Sequence, residues 1–179
     1  AFIVPIAGIA LQLSLLVVLA VVDVGFHLAA TTGRFGGAPP RLAVSALVVM
    51  ITIIGGRIVP SFTRNWLNQR GAERMPVPFG RFDGVAVVVG AVALLAWSLA
   101  PDRLATTGLA AIAAIVHAVR LARWRGPATF PERLLFILHV AYAFVPLGFA
   151  WIAAAGFGLV GDAAALHVLT VGAISTMML

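Results

Sequence analysis

The chain has 179 residues, 62% of them hydrophobic and only 10% charged, with a mean hydropathy of +1.09. A soluble domain carries roughly 25% charged residues, so so much apolar surface excludes a soluble globular fold and calls for lipid as its solvent. The formal charge is +6 and all 12 basic residues are arginines, which excludes a Walker-type phosphate loop and a lysine Schiff base (hence a retinal protein), while the absence of cysteine excludes disulfides, thiolate haem ligation and cysteine-held iron–sulfur clusters.

Six apolar runs predict an all-α, polytopic transmembrane bundle of about six helices, because a span needs about 20 apolar residues. The first covers residues 2–29 and is interrupted by Gln12, Ser14, Asp23 and His27. It is too long for a signal-peptide core and lacks a basic leader. A Gly/Pro-rich linker, 31–40, leads to the second run, 42–59. After a polar stretch, 60–81, come the third run at 84–100, closed by Pro101 and Asp102, and the fourth at 104–122. The fifth is 134–157 and the sixth 162–179. The chain begins without methionine and stops inside an apolar run, so it reads as a fragment of a longer protein whose remainder is one of its partners.

Arginines set the predicted orientation. Arg57, Arg64, Arg70, Arg74 and Arg81 flank or fill the linker after run two, and Arg120, Arg123, Arg125 and Arg133 the one after run four. The other linkers hold only Arg34 with Arg41, Arg103, and none. The positive-inside rule therefore predicts that the amino terminus lies inside. Charge placed between apolar runs also argues for a lipid bilayer and against nucleic acid as the partner. Trp66, Trp97, Trp124 and Trp151 fall near run ends and are expected to be interfacial belt anchors. Ala110, Ala114 and Ala118 suggest a close-packing face on run four.

The four histidines all lie within or at the edge of apolar runs. At about 1.5 Å per residue, they sort into an outer pair, His27 and His167, and an inner pair, His117 and His139. Two imidazoles at one depth on different helices suit a bilayer-embedded haem or copper ion. The plainer reading is that each is an interfacial or inter-helix hydrogen-bonding group. Asp23, four residues before His27, shares its face. It can orient a ligating ring, form a hydrogen bond without metal, or relay protons. Arg120 shares a face with His117 and Trp124, and can meet a haem propionate or snorkel to the interface. Tyr142, near His139, can donate to a bound oxygen or nitric oxide ligand, or bridge helices. Pro146 predicts a kink.

Several stretches are similar to one family. Ile54-Gly55-Gly56-Arg57-Ile58-Val59-Pro60-Ser61-Phe62-Thr63-Arg64-Asn65-Trp66 resembles the glycine–glycine–arginine signature of the NnrS family. Leu138-His139-Val140-Ala141-Tyr142 with Pro146-Leu147-Gly148, the His117–Arg120–Trp124 helix, Phe26-His27, and the stretch from His167 to Ile174 resemble further motifs of it. Ser175 stands where the family usually has glycine. The resemblance covers the whole chain in order and implies roughly the second half of a protein of about a dozen spans. It implies a multi-pass protein of the bacterial cytoplasmic membrane, containing haem and copper and serving denitrification and resistance to nitrosative stress. By that match His27, His117, His139 and His167 are the candidate metal ligands, Arg57, Arg120 and Tyr142 candidate cofactor contacts, and nitric oxide or an iron-nitrosyl species the expected small partner. Arg57 can bind a propionate or anchor phospholipid headgroups. The alternatives are a proton- or ion-coupled transporter using Asp23 and the histidines, and a scaffold in which all four histidines are structural.

Overall fold

A computed structural model of the chain describes residues 13, 14, 16, 17, 19–21, 23–27 and 38–178. The rest of the first predicted span, the linker residues 30–37 with Arg34, and Leu179 lie outside the described residues. The described residues between 13 and 27 are helical; Leu13, Leu16, Val17, Val21 and Val24 are exposed, and Leu19 and Phe26 are half-buried.

Four long helices follow: α1 (Ala38–Gln69), α2 (Arg81–Leu99), α3 (Leu104–Ala122) and α4 (Arg133–Gly156). Each is long and apolar enough to cross a membrane. A last helical run comprises α5 (Asp162–His167), a π-helical segment (Val168–Ser175) and α6 (Thr176–Met178). There is no strand among the described residues. Successive helices are neighbours, and α1 also touches α4 and the π segment, which closes the row into a bundle.

The helix ends follow from local chemistry. Pro39 and Pro40 sit in the first turn of α1, where a missing N–H leaves no intrahelical bond unmade. Gly71 and Gly158 take left-handed backbone, φ 65° and 70°. Ala72 N–H reaches Leu67 C=O at 3.1 Å and Leu159 N–H reaches Ala154 C=O at 2.9 Å. Both are Schellman ends, in which a glycine lets the chain satisfy the last carbonyls. At the start of α2, Asp83 Oδ2 accepts from Gly80 N–H at 3.0 Å. The α1 helix continues past the apolar stretch, through Pro60 to Gln69. At 1.5 Å per residue it is about 48 Å long, well beyond a hydrocarbon core of about 30 Å. The α4 helix likewise runs on through Pro146.

The core joins Val48 and Val59 of α1, Leu94 and Trp97 of α2, Ala110 and Ala113 of α3, and Val145 and Phe149 of α4. Around it, apolar side chains such as Val85, Val88, Ile115, Leu134 and Ile137 point outward and are more than half exposed. In water this would be a large liability, whereas a lipid solvent accepts it.

Two expectations are corrected. The buried face of α3 is Thr106, Ala110, Ala113, His117 and Arg120, while Ala118 is exposed. Spacing by four advances about 40° per step around a helix, so Ala118 has rotated off the face that Ala110 occupies. Trp97 and Trp124, expected in an interfacial belt, are only 4% and 2% exposed. Trp124 is drawn inward by the ring contacts it makes with Tyr142 and Arg120, described next.

Candidate functional site

The most polar part of the interior is built around Arg120. Its side chain is 0% exposed. Nε donates to Asp83 Oδ1 at 3.1 Å, and Nη1 donates to the Thr52 carbonyl at 2.9 Å and to the Tyr142 hydroxyl at 2.8 Å. One α3 side chain therefore ties α1, α2 and α4 together. The guanidinium carbon also lies 5.4 Å from the Trp124 ring centre and 5.9 Å from those of Tyr142 and Phe79. Electron-rich ring faces stabilise a cation that has lost its water. Nη2 is buried and has no hydrogen-bond partner among the described residues.

Gly56 makes room for this group. A Cβ there would come 2.6 Å from Cζ and 2.9 Å from Nη1 of Arg120, and closer still to Nη2. The second glycine of the Gly-Gly-Arg stretch is thus the floor on which a buried arginine from another helix rests.

The network continues with defined proton positions. The Ala86 carbonyl can only accept, so His117 Nε2, 3.0 Å away, carries the hydrogen. His117 Nδ1 is then an acceptor, 3.2 Å from the Tyr142 hydroxyl. That hydroxyl receives Arg120 Nη1–H and donates its own hydrogen to His117. The His117 ring also stacks on Phe149, with centroids 5.3 Å apart. Replacing Tyr142 by phenylalanine should strand His117 Nδ1 and one Arg120 N–H. The expected loss is about 2 kcal/mol, measurable as a lower apparent melting temperature in detergent; an unchanged value would remove the hydroxyl from the network.

The other histidines differ. His139, 4% exposed, donates Nδ1–H to the Leu135 carbonyl at 2.9 Å and points Nε2 at the Thr63 hydroxyl of α1, 3.2 Å away. Arg125 takes left-handed backbone, φ 62°, and brings Gly126 against this ring, where a Cβ would meet His139 Cδ2 at 2.9 Å. His167 is exposed. Its Nδ1–H is held by the Ala163 carbonyl at 3.0 Å, and no partner of Nε2 is found among the described residues. His27 is exposed and stands 3.8 Å from Asp23, the pair expected from their spacing. Arg57 lies on an exposed part of α1, with its guanidinium 5.1 Å from the Phe79 ring centre.

The predicted residues are therefore gathered only in part. Arg120, Tyr142 and His117 form one connected network. His139 turns to a different partner on α1, and Arg57 lies outside the network. Of the two readings of Arg120, a propionate contact or snorkelling to the interface, the second is corrected, because its guanidinium is wholly enclosed. Asp83, 4% exposed, was not anticipated; its signal is that it is a carboxylate at the very edge of an apolar run. Among the described residues no group of three or more His, Cys, Asp or Glu side chains comes together as a metal site. A metal therefore fits the histidine set only in part. His167 presents a nitrogen of fixed tautomer, whereas His117 has both nitrogens committed to protein partners.

Fold and network together define a polytopic helical membrane protein with an ionic crossing inside its bundle. The family model described as NnrS protein matches residues 10–179, and the chain belongs to that family. Membership makes it a membrane protein associated with the nitric oxide response. Among curated proteins and among solved structures no match to the chain is found.

Proposed function

We propose that the protein carries haem and copper in a bacterial cytoplasmic membrane, with its amino-terminal end inside, and acts there in resistance to nitrosative stress. The observation that carries this reading is His167. A backbone carbonyl holds its Nδ1–H and leaves Nε2 without a partner among the described residues, the way a second partner orients a ligating imidazole. His27, with Asp23 beside it, is the other open candidate. His139 can ligate through Nε2 once Thr63 gives up that contact. Further ligands then come from outside the described residues. Such metals, when bound, supply one-electron and nitrosyl chemistry. What this chain supplies is a rigid bundle around them, in which His117 is a structural member of the Arg120 network. Asp23 on an exposed face, instead of inside the bundle, gives the transporter alternative no support.

The test is an absorption spectrum of the purified full-length protein in detergent, as isolated and after dithionite, with copper by elemental analysis. A Soret band that sharpens on reduction, with near-stoichiometric copper, is expected. His167→Ala or His27→Ala should lower metal content per folded protein. His117→Ala should lower stability and leave metal content per folded protein unchanged. A protein that stays colourless and free of copper after reconstitution would overturn the reading.

A further inference from the structure

Where α1 leaves its apolar stretch, Arg57 and Arg64 lie seven residues apart on one face and line a cleft of about 490 Å³. Val77, Pro78 and Phe79, from the segment before α2, line it as well. Arg64 Nη2 donates to the Pro76 carbonyl at 2.6 Å, which pins one guanidinium in place and ties α1 to that segment. Arg57 is held over the Phe79 ring. Among the described residues, the carboxylates in ion pairs are Asp23, Asp83 and Asp162, and none of them pairs with Arg57 or Arg64. Two positioned guanidiniums thus meet in a cleft without an acid to neutralise them.

The surroundings limit what the occupant can be. Val77 and Phe79, which line the cleft, are 44% and 47% exposed, so its wall is apolar while its head is cationic. Arg57 follows the apolar residues 42–56 at about 1.5 Å each, which puts it about 23 Å from the start of that stretch, near the edge of a hydrocarbon core. Guanidinium forks match phosphate oxygens in pairs, as lysine ammonium does not. We propose that the Arg57–Arg64 cleft is a specific site for an anionic phospholipid, its phosphate taken by the two arginines and its glycerol–acyl part lying along Val77, Pro78 and Phe79. The site is independent of the metal reading. A free phosphate shares the head chemistry but has nothing to lay against the apolar wall.

Native mass spectrometry of the full-length protein in detergent tests this, with phosphatidylglycerol or phosphatidylcholine added at matched concentrations. Wild type should retain the anionic lipid about tenfold more strongly, the scale of one charge-assisted contact pair. Arg57→Gln should bring that preference down to the phosphatidylcholine level. Because the Arg57 side chain makes no hydrogen bond among the described residues, this variant should fold; Arg64→Lys, which keeps charge and loses the fork, serves as the second and should weaken retention less. Equal retention by wild type and Arg57→Gln would overturn the proposal. So would displacement of the lipid by millimolar inorganic phosphate, which would assign the cleft to a soluble anion. Loss of haem absorbance in Arg57→Gln with lipid retention intact would assign the arginine to a propionate, and would equally overturn it.

Discussion

Asp83→Asn should be the most damaging single change in this protein, with an expected loss of about 3–5 kcal/mol, the range for unpairing a buried ion. The substitution leaves Arg120 charged and sealed from water, and it also removes the counter-charge of Arg123, whose Nη2 lies 3.9 Å from Asp83 Oδ2. Arg120→Met should cost less. Asp83 then keeps Arg123, which is 26% exposed, and the Gly80 N–H. The pair removed together, Asp83→Asn with Arg120→Met, should recover much of the loss, since a buried pair replaced as a unit is often near neutral. A double-mutant cycle on apparent melting temperature in detergent reads this coupling. Additive single effects would mean that the two side chains do not depend on one another.

The second large effect is expected at Gly56. A methyl group there enters the space of the Arg120 guanidinium, and that group is held by Asp83, Thr52 and Tyr142 at once. An arginine tip in solvent would swing aside cheaply; this one has no exit and three bonds to lose. Gly56→Ala should cost about 3 kcal/mol, combining overpacking with a weakened ion pair. For a chain of this size that is a fall of about 6–12 °C. Gly55→Ala is the matched control. The Cβ there meets the terminal methyl of Met177 at 2.7 Å, and an unbranched thioether chain can move, so its loss should be clearly smaller. Equal effects at the two glycines would show that the guanidinium does not rest on Gly56.

Much of the fold was legible because lipid imposes a simple rule: long apolar runs become helices. The runs at 84–100, 104–122 and 134–157 coincide closely with α2, α3 and α4. What the sequence obscured was where polar residues go. Residues 60–69 read as linker because Pro60 and the polar or charged Ser61, Thr63, Arg64, Asn65, Asn68 and Gln69 interrupt the pattern, yet the helix carries them onward to Gln69. Arg120 lies near a run end, where an interfacial position is the ordinary outcome; its burial depends on Asp83, 37 residues earlier on another helix. No local periodicity reports such a pairing. Tyr142 as a helix bridge was one of the two readings open from the sequence, and the hydroxyl does bridge α3 to α4. The asymmetry among the histidines was not legible either, since tautomer and occupancy depend on partners such as Ala86 and Thr63 that carry no motif.

The π-helical stretch from Val168 to Ser175 follows directly on His167 and precedes Met177, which reaches Gly55 of α1. Wide turns of this kind arise when a helix absorbs one additional residue while both flanks hold their places. The last helix therefore has slack in its length that α3 and α4 lack. A relative shorter by one residue in this stretch can close it to ordinary α-helix with His167 and Met177 still facing as they do here. The same deletion within α3 would turn everything after it by about 100° and carry Arg120 away from Asp83.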